Sequence, residues 1–369
     1  MRLFEQAPQW TEAGAGIQLG PNATRLFHGW GLDKLLAQAA ASPERLVVRR
    51  ADTGAQLATL RLGSSFRIRY GAPYLCVHRA DLHAMLRQAA AAAGADLQLA
   101  RRIAQIEQEA SAVRVRFEGG QFCDGDLLVG ADGVWSKVRH QLLDDGAALP
   151  TGHLAYRALL SQSVLPARLR SQDITVWLGR RTHVVAYPVR QGEVLNLVVI
   201  LEGHHPDSAQ QWNGDALTAG LYAVLGPLHA DLQALVQASA AWGSWSLHER
   251  APLTSAAQMA SGRVALLGDA AHPMRPYLAQ GAAMALEDAA ELARCLQVQT
   301  KGGAIDVRLA LGRYAANRWQ RCAKVQQRAQ RNGRVFHATG WLRRARDLSL
   351  RLLGERLIDQ PWLYRAPRT

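Results

Sequence analysis

Two carboxylates stand at points where a strand gives way to a turn. In the segment RVALLGDAAHP at 263–273, the apolar run 264–267 is closed by Gly268 and followed at once by Asp269. Such a run reads as a buried strand, and its carboxyl end is where open α/β sheets bind ligands. Asp269 there can accept hydrogen bonds from ligand hydroxyls. A loop with Pro273, Pro276 and Gly281 leads to an Ala-rich stretch in which Met284, Leu286, Ala289, Leu292, Ala293 and Leu296 share roughly one helical face. The free N–H groups at the start of that helix favour an anion. Sugar hydroxyls beside a group that becomes anionic describe a reduced flavin; an ordinary strand-loop-helix is the plainer alternative. Near the N-terminus, Arg2-Leu3-Phe4-Glu5 likewise reads as the end of a strand closed by an acid.

The elements that position these residues alternate between helical and extended patterns. Gly14, Gly16 and Gly20 invite a dinucleotide reading, but G-x-G-x-x-G must directly follow a strand and open a helix. Here the third glycine comes one place late and PQWTEA precedes the set, so the glycines are assigned to a loop feeding a helix over 22–41. The runs RLVVRR, QLATLRL and FRIRY then read as short strands. VHRADLHAMLRQAAAAAGA predicts a helix with Asp81 near its start and Gly94 as its stop. A β-meander is expected over 97–129, with Gly119-Gly120 at a hairpin. Further strands are expected in HLAYRALL, DITVWLG, THVVAYPV and VLNLVVIL.

Composition sets the bounds. The 369 residues suffice for a large core and two domains or one elaborate one. No stretch approaches about 18 uninterrupted apolar residues, which argues against a transmembrane helix, and the start MRLFEQAPQW carries no apolar signal core. Cys76, Cys123, Cys295 and Cys322 are scattered without metal-ligand spacing, which predicts free thiols in a reducing cytoplasm and no metal site. The net charge of +13 is concentrated late, in Arg313, Arg318, Arg321, Lys324, Arg328, Arg331, Arg334, Arg343, Arg344 and Arg346. These read as the solvated face of amphipathic helix. No recognition motif accompanies them, so nucleic-acid binding is not expected.

Three blocks in order give the chain a family resemblance: FEQAPQWTEAGAGIQLGPNATR at 4–25, GDLLVGADGVWSKVR at 125–139, and RVALLGDAAHP at 263–273 continuing into AQGAAMALEDA. Together they resemble the single-component (class A) FAD-dependent aromatic hydroxylases, the group of salicylate, 3-hydroxybenzoate and 6-hydroxynicotinate monooxygenases. GSSFRIRYGAPYLCVHRADLHAML at 63–86 looks most like the 3-hydroxybenzoate 6-hydroxylase branch. The resemblance implies an α/β fold. A three-layer Rossmann-like FAD-binding domain (1–42, 76–150 and 256–300) would be interleaved with an antiparallel-sheet substrate domain (43–75 and 151–255), followed by a helical segment over 301–369. It also implies that NADH or NADPH reduces FAD and that O2 forms a flavin C4a-hydroperoxide, which hydroxylates a small aromatic acid. It leaves a homodimer open.

Residue by residue, the resemblance gives Glu5 the adenosine ribose, Arg79 the flavin side chain and Asp269 the ribityl chain. It places Gly16 and Ile17 against the isoalloxazine ring, and adds Ile103, Asp132 and Gly281 to the cofactor set. Arg139 shares a motif linked to FAD and NAD(P)H, an Asx turn and a surface cation being the alternatives for Asp132 and Arg139. It points to His183 and Tyr187, which lie four apart on a strand and so face the same side. His183 would hold or deprotonate the substrate phenol and Tyr187 would donate to the substrate; a core histidine and a packing tyrosine are the alternatives. Gln18 stands where the 6-hydroxynicotinate enzymes carry His, and Pro276 where the 3-hydroxybenzoate enzymes carry Gln, which weakens either substrate. His272 reads as structural, and Arg275 as facing either a substrate carboxylate or solvent.

One departure stands out. Family members begin with a strand, G-x-G-x-x-G and a helix ahead of the Glu5 strand, in a βαβ unit of ~30 residues or more. Met1 is therefore read as an internal start, with weak FAD binding as the other reading. A hydroxylase or epoxidase of a larger substrate, and a non-catalytic binding remnant, are the rival functions.

Overall fold

The computed structural model describes residues 1–11, 15–203, 211–212, 221–222, 224–239, 241–298, 303 and 305–365; Gly14 lies outside them. Contacts divide the chain into two compact units, Met1–Glu12 with Ala84–Leu149 and His248–Gln330, and Ala13–His83 with Pro150–Leu247 and Arg331–Thr369.

The first unit is built on parallel ladders. Strand Arg2–Phe4 pairs in parallel with Asp96–Gln98, and Leu128–Gly130 with Val264–Leu266, the two ladders lying in separate sheets. A meander of Ile103–Gln108, Val113–Phe117 and Phe122–Gly125 and the short strand Ala260–Ser261, antiparallel to Val264–Leu266, accompany them. The strand Val264–Leu266 is wholly buried, and helices Gly281–Leu296 and Val307–Phe336 bring Leu292, Leu311 and Tyr314 against it. Each such Leu stabilises the unit by about 1.5–3 kcal/mol on burial. The Tyr314 hydroxyl donates to the Leu266 carbonyl at 2.8 Å, so the ring fills the core without orphaning its polar end.

The second unit is dominated by an eight-stranded sheet. Its order is Gln211–Trp212, Gly243–Glu249, Leu149–Ser161, Val194–Glu202, Thr182–Val189, Ile174–Leu178, Arg45–Arg50, Gln56–Arg61. Residues alternate in facing along each strand. Val184, Ala186, Leu195, Leu197 and Val199 join one core with Leu232, Leu235 and Val236 of helix Ala230–Gln237. On the opposite face, Val176, Leu178 and Val185 meet Leu350, Phe336 and Ile358. A smaller sheet pairs Gly16–Leu19 and Ala40–Ala41 with Leu75–His78.

The α/β class stands, and four local expectations need correction. FRIRY belongs to helix Ser64–Tyr70: Phe66 and Tyr70, one turn apart, are both buried and edge-on at 4.6 Å, while Ile68 is 84% exposed. Alternation of apolar and charged residues imitated a strand where the helical spacing decides the packing. The expected helix over 22–41 is two helices, Pro21–Gly29 and Asp33–Ala39, broken where Gly31 takes a φ of 71°. Gly16–Leu19 is a strand rather than loop. The late cations are not one solvated face, because Arg318 and Arg346 are buried. The compact units also part the chain at other points than the expected domains, with 301–330 in the first unit and 331–369 in the second. Among the described residues no helix is long and apolar enough to cross a membrane.

Candidate active site

The expected site residues fall in both units. Glu5, Ile103, Asp132, Asp269, Pro276 and Gly281 are in the first; Gly16, Ile17, Gln18, Arg79, His183 and Tyr187 are in the second.

In the first unit, strand Val264–Leu266 ends in a single 3-10 turn, Gly268–Ala270, which carries the exposed Asp269. That turn is latched from behind. Asp288, fully buried on helix Gly281–Leu296, accepts from the Gly268 N–H at 3.1 Å and from His272 Nε2 at 2.5 Å on one oxygen. Its other oxygen accepts from Arg318 Nε at 2.7 Å, and Arg318 also reaches Glu287 at 2.7 Å. Burial alone would lower the His272 pKa, but the Asp288 carboxylate outweighs it and holds the ring protonated, well above its ordinary range. The same pairing lowers the Asp288 pKa against the burial that would raise it. His272 therefore acts in structure, as expected.

Arg139 braces the turn from a second side. It is buried, donates from Nη1 to the Ala270 and Ala271 carbonyls at 3.1 and 2.5 Å, and pairs with Asp145 through Nε at 2.8 Å. Its reading as a surface cation does not hold. The Asp132 carboxylate accepts from Ser136 Oγ at 2.5 Å and from the Val138 N–H at 3.1 Å, bracing the start of helix Lys137–Leu143, whose N-cap is Ser136. Glu5 follows strand Arg2–Phe4, and its Oε1 accepts the Ala7 N–H at 2.7 Å. Ile103 opens the strand Ile103–Gln108, and Pro276 is exposed. Arg275 is neutralised by Glu249, with contacts of 2.8 and 2.5 Å. That partner is an acid of the same unit, which neither expectation named.

These residues suit FAD's polyol and ring. Helix Gly281–Leu296 starts with no side-chain cap and no acid in its first turn, leaving its first N–H groups for an acceptor. A Cβ added to Gly281 would lie 4.0 Å from Asp269 Oδ1, so a hydroxyl-binding carboxylate stands beside an anion-favouring helix end.

In the second unit, Gly16–Leu19 runs close to the large sheet. A Cβ on Gly16 would lie 2.4 Å from Tyr187 Cε2 and 2.9 Å from Asn196 Cγ, so only glycine admits this approach. The Gly16 N–H donates to Asn196 Oδ1 at 2.7 Å, and Asn196 stands directly across from Tyr187 in the sheet. Ile17 pairs with Val77, and Gln18 accepts from the Tyr74 hydroxyl at 2.9 Å. Arg79 opens helix Arg79–Ala92 with its side chain exposed, and its N–H donates to the Ala15 carbonyl at 2.7 Å.

His183 and Tyr187 do share one sheet face, yet about 13 Å of strand separates them. They anchor two clusters. His183 is buried, with Nδ1 2.9 Å from His337 Nε2 and its ring edge-on to Phe336. Burial, with His337 and His153 nearby, holds its pKa well below the ordinary range, so the ring is neutral. Tyr187 is buried, which raises its pKa, while the Arg157 guanidinium opposes that rise. Arg157, Asn196 and His337 escaped the sequence reading. The available signal was a lone polar residue inside an apolar run, as in AYRALL and VLNLVV. Two side-chain groups also carry metal-ligand types that no spacing reveals: His153, Glu202 and His337, and the latch residues His272, Asp288 and Cys322. In the latter Arg318 already occupies Asp288.

Comparison with known proteins decides the family. The FAD binding domain family matches residues 5–329. The chain belongs to the class A FAD-dependent aromatic hydroxylases. This hydroxylase is 35% identical over 371 residues to a 3-hydroxybenzoate 6-hydroxylase of Polaromonas naphthalenivorans, covering 99% of this chain and 89% of the relative. It is 37% identical to a 3-amino-4-hydroxybenzoate 2-monooxygenase of Streptomyces cremeus, covering 91% and 81%. Its fold matches the crystal structure of Klebsiella pneumoniae HpxO complexed with FAD and uric acid. There the TM-score is 0.84 at 24% identity, with 96% of this chain and 87% of that chain covered. The cofactor of this hydroxylase is FAD.

Proposed function

We propose that this hydroxylase adds one oxygen atom of O2 to the ring of a small phenolic acid of the salicylate or hydroxybenzoate type, using NADH or NADPH. Two relatives whose names specify hydroxybenzoates support the substrate class. The four free cysteines support a cytoplasmic setting. Bound FAD supplies electron transfer from the nicotinamide and the activation of O2.

The chain's own residues bind, orient and handle the proton. Asp269 and Glu5 are assigned the polyol and ribose hydroxyls, and the N–H groups after Gln280 the negative charge of the reduced ring. Gly16, Ile17, Arg79, Ile103, Asp132 and Gly281 are assigned to the cofactor as well, Gly16 and Ile17 as backbone that would face its ring. Gln18 and Pro276 are assigned to the substrate. His183, with Nδ1 2.9 Å from His337 Nε2, is assigned the substrate phenol, which it would hold or deprotonate. Tyr187, kept protonated by burial, can donate its O–H to the substrate.

The observation that carries this reading is the shared facing of His183, Tyr187 and Arg157 on one polar-spotted sheet face. The test is NAD(P)H oxidation by FAD-loaded protein across the monohydroxybenzoates, with product analysis. Stimulation by one isomer, with a dihydroxybenzoate formed, is expected; stimulation by none removes the substrate class and leaves the family intact.

A further inference from the structure

The fully buried arginines among the described residues each pair with an acid, and the half-buried Arg157 is set apart from them. Arg139 and Arg250 pair with Asp145, at 2.5 and 3.0 Å, Arg318 with Asp288 at 2.7 Å, and Arg346 with Asp347 at 2.7 Å. A guanidinium taken out of water without such a partner is costly. Arg157 Nε is buried and makes no hydrogen bond within the described residues. Among the described residues, the charged or ionisable groups near enough to act on it are the Tyr187 phenol and a second cation, Arg79. Its guanidinium lies over the Trp245 ring, 4.3 Å from the centroid, on the neighbouring strand Gly243–Glu249. Stacking of this kind offsets part of the desolvation and fixes the plane of the fork. It supplies no counter-charge.

Sheet register places this cation exactingly. Arg157 is directly across from Val198, and Val198 from Val185. Val185 is midway along its strand between His183 and Tyr187, so the guanidinium stands level with the gap between them, two strands or about 10 Å away. The floor between is apolar, made of Val198 and of Val185, which also packs against the cluster of Leu350, Phe336 and Ile358. A flat, one-ring molecule lying on Val198 would meet a planar cation on one side and the Tyr187 strand on the other.

The geometry points to Arg157 as the anchor for the carboxylate of the aromatic acid, held in plane by Trp245 and meeting the acid through its fork. This rests on the substrate class proposed above and names the residue that selects the acid over its neutral analogues. Arg275, the cation that sequence reading offered for this task, is already neutralised by Glu249. Two oxygens on one carboxylate match two N–H groups of one guanidinium, and each charge removes the other's desolvation cost. Because that carboxylate leaves with the product, the resting chain keeps a cation that no acid among the described residues matches. Burial lowers its pKa accordingly.

The test compares 3-hydroxybenzoate with its neutral isostere 3-hydroxybenzamide, using calorimetry and tryptophan fluorescence on the full chain. The wild type is expected to bind the acid about 10- to 100-fold more tightly than the amide, the range of a hydrogen bond to a charged group. Arg157→Met is expected to lose that preference by weakening the acid and leaving the amide unchanged. Arg157→Lys, which keeps the charge and loses the fork, is expected to fall between. A wild type without preference overturns the inference and needs no variant to do so. So does an Arg157→Met protein, folded by circular dichroism, that still prefers the acid. Inorganic phosphate binding as tightly as the acid would overturn the choice of a carboxylate. A wild type that binds neither benzoate derivative instead overturns the proposed substrate class, and the anchor with it.

Discussion

Replacing Asp288 by Asn is the sharpest test of how the Asp269 turn is held. The change conserves volume and removes one buried charge at a position with no solvent exposure. Asp288 presents two oxygens to three strong donors, His272 and Gly268 on one, Arg318 on the other. Whichever oxygen becomes an amide NH2, a donor then faces a donor. Removing one partner of a buried ion pair costs about 3–5 kcal/mol. Arg318 keeps Glu287 at 2.7 Å, which places this case near the lower end, about 3 kcal/mol. For a unit of this size that corresponds to a fall in Tm of roughly 6–12 °C. Thermal unfolding followed by circular dichroism reads it directly, and FAD titration of the same variant should show weaker binding because the turn carries Asp269. A Tm shift below about 2 °C, well short of the scale set by lost buried pairs, would refute the latch.

Two further outcomes follow from the same geometry. His272 has a raised folded pKa, so its contribution is complete below the ordinary value of 6.5 and drains away as pH rises through the folded value. Asp288 is lowered, so its contribution holds above 3.8 and is lost only as pH falls below that. Wild-type Tm should therefore decline from pH 6.5 upward, and His272→Gln should flatten that decline in melts across this range; parallel slopes would count against a charged His272. Gly16→Ala sets a methyl 2.4 Å from Tyr187 Cε2 and should cost about 1–3 kcal/mol in urea unfolding. An unchanged midpoint would show that the approach of Gly16 to Tyr187 is looser than described.

Much of the site was legible because its signals are local. RVALLGDAAHP is a strand, a turn and an acid in eleven consecutive letters, and Asp269 is where that order puts it. The role of His272 needed more, since its partner Asp288 is sixteen residues on and Arg318 another thirty. For Arg139 the alternative of a surface cation stayed open because a helix-borne Arg in SKVRH looks the same whether it faces water or the Ala270 carbonyl. FRIRY misled for a physical reason: its alternation satisfies a strand, and only the packing of Phe66 against Tyr70 selects the helix. Arg157 could not be singled out among many arginines. What marks it among the described residues is a buried Nε without a hydrogen-bond partner on the sheet face of His183 and Tyr187, and only the fold shows that.

The central claim, an FAD-dependent hydroxylase of a phenolic acid, is tested most directly by following the oxygen. FAD-loaded protein is given NADH or NADPH and a hydroxybenzoate under isotopically heavy O2, and the product is weighed by mass spectrometry. The account predicts one heavy oxygen on the ring of each hydroxylated product. Nicotinamide oxidation that leaves every aromatic acid unlabelled would contradict it.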